Sequence, residues 1–224
     1  MIYDTPHFRL LRKPAGIPSS RWQEYSFLDG IRDSLVSGMY TSSAGKPLAE
    51  SFELFGPDHE YGLLNRLDNK TCGLLYFAKN KDAATRYLKL QAAHKITKYY
   101  IATVYGQMRW AFWRVNTPLA HHPTDANRMV ALESEDDDHR SQIIDCETYR
   151  EKFYYDVDLD MTTLLVQITK WARHQIRCHL WSLGHPIAND DLYTTKKQRH
   201  KWKKQWRYND NDELGLMSVG LRYP

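Results

Sequence analysis

The chain has 224 residues, of which 42% are hydrophobic and 26% charged, and its net charge is +4. This composition is typical of a globular protein, and no apolar run approaches the ~18 residues that a membrane span needs. The three cysteines lack the spacing of a disulfide framework or a zinc knuckle. Because the N-terminus does not resemble a signal peptide, we expect a cytoplasmic protein.

Charge is distributed unevenly along the chain. Acidic residues gather at 133–138 and 210–213, whereas basic residues gather at 196–207. Such segregation predicts a surface with a positive side, which suits a polyanionic partner. The basic segment also has Trp202 and Trp206 one helical turn apart. It is therefore open to two interpretations: a phosphate-binding element, or an amphipathic helix that buries one tryptophan face.

Hydrophobic periodicity and turn residues predict the elements in chain order. They are a strand at 8–12, a helix at 22–37, a buried strand at 73–78, a helix capped by Asp82, a strand at 99–104, a strand at 162–169 and a helix at 174–183. Gly184 stands where a left-handed residue ends a helix, and Pro186 follows it. Strands outnumber helices and most connections are short, so we expect an α+β fold with a largely antiparallel or mixed sheet.

Several motifs that could carry other chemistry are incomplete. His174, Cys178 and His179 could place two metal ligands one helical turn apart, but a third and a fourth ligand are not evident, so we expect no metal. Gly45-Lys46 is followed by Pro47 where a nucleotide-binding loop needs serine or threonine. The sequence has no serine elbow for acyl transfer. We therefore expect no cofactor.

Two polar segments are poorly explained by packing. In the first, Asp68 lies between Arg66 and Lys70 just before an apolar strand, and it could be either a turn cap or a functional carboxylate. In the second, residues 173–177 place two arginines and a histidine in the first turn of a helix, where acidic residues are preferred. Positive charge at a helix N-terminus predicts nearby negative charge, which a carboxylate together with a phosphate would supply.

Together these segments resemble the RluA-type family of pseudouridine synthases. Four stretches of the chain follow the order of that family's motifs: 10–17, 65–75, 98–106 and 174–193. The resemblance implies the pseudouridine synthase fold, a mixed and largely antiparallel sheet flanked by helices with a central active-site cleft. It also implies that residues 1–224 form a single catalytic domain with two subdomains around one cleft, without a separate N-terminal RNA-binding module.

The resemblance also assigns roles to individual residues. Asp68 is expected to be the catalytic carboxylate, Tyr100 the aromatic platform for the target base, and Arg177 the partner of Asp68. The residues expected to contact RNA are Lys13, Arg66, Lys98, Arg173, His174 and Gln175. Asn65 and Cys72 depart from the histidine and serine that are usual beside the aspartate, which leaves the RNA target open.

The implied activity is the isomerisation of specific uridines in structured RNA, ribosomal or transfer RNA, to pseudouridine. The base would be flipped out of its stack, and the reaction needs no cofactor. A non-catalytic RNA-binding module with the same fold is the alternative, and a cofactor-free glycosidic hydrolase is another, although no second well-placed carboxylate is evident. We expect a monomer that binds RNA and no membrane.

Overall fold

A computed structural model describes residues 2–20, 25–36, 55, 57–109, 112–132, 143–204 and 213–224. The chain divides into two compact units, residues 1–95 and residues 96–224. Each unit carries antiparallel strands together with helices, as the α+β prediction requires. Within the part of the chain that is described, no helix is both long and apolar enough to cross a bilayer.

The first unit is built on three antiparallel strands with β2 in the middle. Its elements are β1 (Ile2–Asp4), β2 (Phe8–Lys13), α1 (Phe27–Val36), a 3-10 turn (Pro57–Gly62), β3 (Cys72–Ala78) and α2 (Lys81–Ala92). Six of the seven β3 residues are buried, as the apolar run at 73–78 predicts. The β3 register, from Gly73 opposite Lys13 to Ala78 opposite Phe8, aligns the start of β3 with the end of β2.

The described residues of the second unit form five strands in the order β10-β4-β9-β8-β5, all antiparallel, and a separate β6–β7 hairpin. Its elements are β4 (Thr97–Tyr105), β5 (Phe112–Val115), β6 (Leu119–His121), β7 (Met129–Ala131), β8 (Thr148–Asp156), β9 (Met161–Ile168), α3 (Gln175–Ser182), α4 (Lys196–Lys204) and β10 (Leu216–Arg222). The central strands β4 and β9 alternate between buried and half-buried side chains along most of their length. This alternation is the period-2 pattern that places one face of a sheet on the core.

Most predicted elements are confirmed, and two differ in detail. The first helix begins at Phe27, five residues later than predicted, and residues 21–24 and 37 lie outside the described residues. Asn80, not Asp82, caps α2: its side-chain oxygen accepts a hydrogen bond from the Ala83 N–H at 2.8 Å. Both residue types suit a cap, but the helix begins one residue before Asp82. Gly184 follows α3 with φ +81°, as predicted.

Candidate active site

Asp68 lies on a turn that several buried contacts hold in place. The turn is closed by the Thr71 N–H, which donates to the Asp68 carbonyl at 3.1 Å. On one side the buried Ser19 hydroxyl bonds to both the N–H and the C=O of Leu67, each at 2.9 Å. On the other side the Gly16 N–H donates to the Asn69 carbonyl at 3.0 Å. The residues before and after Asp68 are thus tied to the segment that follows β2.

The Lys13 side chain also holds the turn that carries Asp68. The side chain is fully buried, and its ammonium donates to the carbonyls of Pro14, Ile17 and Asn69 at 2.7–2.9 Å. Backbone carbonyls that are shielded from water on one side need such donors. Lys13 therefore has no exposed surface with which to contact RNA in this structure, and its contribution is to hold the turn that carries Asp68.

Asn65 attaches the same loop to β3. Its side-chain oxygen accepts from the Tyr76 N–H at 2.8 Å, and its side-chain NH₂ donates to the Leu74 carbonyl at 3.3 Å. An amide can both donate and accept, so this residue satisfies two backbone groups of the strand. The departure from the usual histidine is thus compatible with a fixed loop, and Cys72 is simply buried as the first residue of β3.

Arg66 is the exposed cation beside Asp68. Its guanidinium pairs with Glu60 at 2.8 Å, and more than half of the arginine side chain is open to solvent. An exposed pair of this kind contributes little to folding. If Arg66 paired with an RNA phosphate instead of Glu60, the folded protein would therefore lose little stability.

Tyr100 and Lys98 lie on the same face of β4, because residues two apart on a strand project to the same side. Both are more than nine-tenths buried in the free protein. The Lys98 ammonium lies 3.6 Å from the centroid of the Trp171 ring, a cation–π contact. Burial lowers the pKa of Lys98 to about 8, so the side chain remains mainly charged at neutral pH.

Arg177 is the third residue of α3, and Asp190 fixes its orientation. The guanidinium donates from Nε and Nη2 to the two carboxylate oxygens of Asp190, at 2.7 and 2.9 Å. The same carboxylate accepts the N–H groups of Leu192 and Tyr193. Both charged side chains are almost completely buried. Asp190 is the carboxylate that the positive first turn of α3 predicts, although the sequence did not identify it as a site residue.

The other residues expected at the start of α3 have different surroundings. Arg173 is exposed and donates to the Ala126 carbonyl at 2.9 Å. His174 is in the left-handed conformation with its Nδ1 atom 3.2 Å from the Tyr193 hydroxyl. Gln175 is buried, and its amide bonds to the Glu147 carbonyl and to Ala172 N–H. Gln175 thus positions the helix start, whereas Arg173 is accessible to a ligand.

Two of the three residues that could have suggested a metal site, Cys178 and His179, lie in the core. His179 is fully buried, with Nδ1 2.7 Å from the Thr148 hydroxyl and Nε2 2.9 Å from the Thr117 carbonyl. Burial lowers the pKa of His179 and raises the pKa of Cys178 to about 12. These side chains are neutral packing groups near pH 7.

Helix α4 places a basic surface on the second unit. Trp202 stacks on Tyr105, with ring centroids 3.8 Å apart and an interplanar angle of 14°. No residue of α4 is fully buried, and its lysines, Lys196, Lys197, Lys201, Lys203 and Lys204, are all exposed. The two interpretations of this segment are therefore compatible: one tryptophan attaches the helix while the lysines face solvent. Trp206 lies outside the described residues.

Comparison with known proteins decides the family. Residues 7–182 match the family model described as RNA pseudouridylate synthase. The chain belongs to this family. The matched range contains Asp68, Tyr100 and Arg177. The resemblance to the pseudouridine synthase family that the motifs indicated is thus confirmed.

Curated relatives agree with this assignment. The dual-specificity RNA pseudouridine synthase RluA of Vibrio cholerae is 31% identical over 197 residues, which are 86% of this chain and 67% of the relative. The ribosomal large subunit pseudouridine synthase C of Vibrio parahaemolyticus is 29% identical over 88% of this chain and 53% of its own length. An uncharacterised RNA pseudouridine synthase of Aquifex aeolicus is 31% identical over 60% of this chain and 40% of its own length. The matched part is thus between two fifths and two thirds of each of these relatives.

Two solved human structures share the fold. RNA pseudouridylate synthase domain containing 1 has a TM-score of 0.72 at 17% identity, over 100% of this chain and 77% of the human chain. RNA pseudouridylate synthase domain containing 4 has a TM-score of 0.63 at 20% identity, over 98% and 82% of the two chains. The expected pseudouridine synthase fold, with a mostly antiparallel sheet flanked by helices, is confirmed.

Proposed function

We propose that this chain isomerises specific uridines in structured RNA, ribosomal or transfer RNA, to pseudouridine. The observation that supports this most is the rigid turn that carries Asp68, in a chain whose family is RNA pseudouridylate synthase. The reaction breaks the bond between ribose C1′ and N1 of the base and forms a bond from C1′ to C5. N1 gains a proton and C5 loses one, so atoms and electrons balance without a cofactor.

Each catalytic residue has a proposed role in this reaction. Asp68 acts on the ribose, either by attack on C1′ or by removal of a ribose proton to give a glycal. Tyr100 stacks on the flipped base, since base–aromatic stacking contributes ~1–3 kcal/mol per base. Arg177 keeps Asp68 ionised and oriented through charge-assisted hydrogen bonds. The bond to Asp190 supports this role because it fixes the guanidinium before RNA binds.

RNA binding is proposed to rest mainly on the cations that solvent can reach, with the buried Lys98 and the half-buried His174 as additional contacts. Arg66 and Arg173 are exposed near the sequence positions of the catalytic residues, and the lysines of α4 add an exposed basic surface. Lys98 and His174 contribute where the RNA displaces Trp171 or Tyr193 from them. Replacement of the five α4 lysines by glutamine would lower the slope of RNA affinity against salt by ~0.7–0.9 for each phosphate that the helix no longer neutralises. An unchanged slope would show that α4 only packs against Tyr105.

We also propose that residues 1–224 act as one catalytic domain, as a monomer in the cytoplasm. The sequence motifs support the first point, because Asp68 lies in the first unit whereas Tyr100 and Arg177 lie in the second. A non-catalytic RNA-binding module is disfavoured since both Asp68 and Tyr100 are present. Light scattering of the purified chain with and without RNA tests the monomer.

The most direct test of the substrate is to map pseudouridines in total RNA from cells with and without the gene. We expect one or a few uridines in ribosomal or transfer RNA to lose the modification, and to regain it when the gene is returned. Identical maps would contradict the proposed function.

A further inference from the structure

Arg150 is a buried cation that the proposed reaction does not use. It lies on β8, paired with Trp113 of β5 on one side and with Val166 of β9 on the other. The residue is only 3% exposed, yet its Nε and Nη1 atoms are buried without a hydrogen-bond partner among the described residues. Burial lowers the pKa of Arg150, but a guanidinium starts so high that it stays charged.

The described residues provide no ion pair for this arginine. Its guanidinium carbon lies 5.8 Å from the centroid of the Trp113 ring. A buried charge is costly when its hydrogen-bond donors lack acceptors, and the Nε and Nη1 atoms of Arg150 have none among the described residues. The protein thus keeps the Arg150 guanidinium at a cost in stability. This suggests that the guanidinium pairs with an anion that is not part of the described chain.

A cavity of about 230 Å³ borders Arg150. Its wall also includes Arg109, His185 and Gln107, together with the Trp113 ring. The described residues that line it include no carboxylate. Two guanidinium groups and an amide around a small space can supply donors to an anion with several oxygen atoms.

The walls of this cavity are held by ordered contacts. The Met108 N–H donates to the Thr162 hydroxyl at 3.1 Å, and that hydroxyl donates to the Gly106 carbonyl at 2.7 Å. His185 Nδ1 lies 2.9 Å from the Tyr105 carbonyl. A carbonyl can only accept, so Nδ1 carries the proton and donates to Tyr105, which holds the ring in place. The cavity is thus largely formed before a ligand enters, which lowers the entropic cost of binding.

We propose that this cavity is a phosphate-binding site in which Arg150 is the anchoring group. A volume of about 230 Å³ is below the ~300 Å³ of the smallest typical ligand pockets, so it suits one phosphate group better than a whole nucleotide. The bidentate geometry of a guanidinium matches a phosphate. The phosphate is either a backbone group of the RNA, which rests on the proposed function, or a free phosphate ester.

The test compares thermal unfolding of the full chain in sodium phosphate and in sodium chloride at equal ionic strength. Because a ligand that binds only the folded state raises the melting temperature, we expect phosphate to stabilise the wild-type protein. Arg150→Met should bind inorganic phosphate at least tenfold more weakly. Without phosphate this variant should be at least as stable as the wild type, since it no longer buries an unpaired charge.

A matched control and a second probe separate the possible sources. Arg222→Met removes the same charge from an exposed position on β10 of the same unit, and it should keep the phosphate response. Oligouridylate binding at fixed salt is then measured for the same three proteins. If Arg150→Met loses both the stabilisation by inorganic phosphate and the binding of oligouridylate, the site binds RNA backbone as well as free phosphate. If it loses only the stabilisation by inorganic phosphate, the site binds a free phosphate ester.

The proposal is overturned if Arg150→Met and the wild type respond equally to inorganic phosphate and to oligouridylate. It is also overturned if Arg222→Met loses as much response as Arg150→Met, because the effect would then be one of net charge. Neither measurement needs turnover. A failure of the phosphate site is therefore distinguishable from a failure of the proposed isomerase activity.

Discussion

Replacing Lys13 by methionine should both destabilise the protein and impair Asp68. Methionine fills nearly the same space as the lysine stem but has no donor, so the carbonyls of Pro14 and Ile17 lose the lysine hydrogen bond. The Asn69 carbonyl loses it too but keeps the bond from the Gly16 N–H. Leaving a buried acceptor unsatisfied costs about 1–3 kcal/mol. Pro14 is exposed and Ile17 is half-buried, so water can partly replace the lysine and the low end of that range applies to each.

Two acceptors at about 1 kcal/mol each give ~2 kcal/mol, and the relief of no longer burying an ammonium reduces this to ~1 kcal/mol. Urea unfolding of the purified chain measures the difference directly. The rate of pseudouridine formation, measured where the variant is still folded, should fall about tenfold because the Asp68 turn loses one of its attachments. Arg12→Met is the matched control, since Arg12 is the exposed neighbour on the same strand. Equal stability and equal rates for the two variants would refute the role of Lys13.

Three further outcomes follow from other contacts. Asp190→Asn should lower the free energy of unfolding by about 3 kcal/mol in urea, because it leaves the buried Arg177 guanidinium uncompensated; a change below about 0.5 kcal/mol, on the order of a surface substitution, would contradict this. Since burial lowers the pKa of His179, the unfolded chain binds a proton near pH 6.5 that the folded chain does not, so the free energy of unfolding should fall as pH drops below that value. His179→Gln should make the free energy of unfolding depend less on pH between pH 7 and 5. Parallel pH profiles for the variant and the wild type would show that His179 is not the cause. Arg173→Gln should weaken RNA binding and lower its salt slope by ~0.7–0.9, and an unchanged slope would remove Arg173 from the RNA contacts.

Local patterns were sufficient to predict much of the fold. The alternation of apolar and polar residues along 162–169 and the glycine at 184 reflect local backbone preferences. The structure confirms both the strand β9 and the left-handed residue after α3. Choosing Asp82 as the cap of α2 failed because Asn80 and Asp82 are equally suitable cap residues. Only the exact start of the helix decides between them, and helix boundaries depend on contacts distant in sequence.

The candidate site was predicted less completely than the fold. Motif order alone marked Asp68, Tyr100 and Arg177, but it did not show that Lys13 is enclosed by carbonyls or that Asp190 holds Arg177. Those facts depend on which groups meet after folding, over separations such as the 56 residues between Lys13 and Asn69. One signal was available: two arginines and a histidine at a helix start require an anion, and an aspartate follows within the same motif.

The surroundings of Arg150 also could not be predicted from the sequence. The sequence patterns do not single out Arg150, and only the burial of its guanidinium and the cavity beside it point to an anion site. The sequence cannot convey this because the enclosing residues, Trp113 and His185, come from separate elements.

The central claim is that Asp68 is the carboxylate that performs the isomerisation. The deciding measurement is the release of tritium from C5 of labelled uridines in RNA from cells that lack the gene, incubated with the wild type, with Asp68→Asn, and with Asp82→Asn. Asp82 is an exposed aspartate in the first turn of α2, so its variant is a matched control. We expect release with the wild type and with Asp82→Asn, and none above background with Asp68→Asn, while all three unfold at the same urea concentration. Normal release from a folded Asp68→Asn variant would contradict the account.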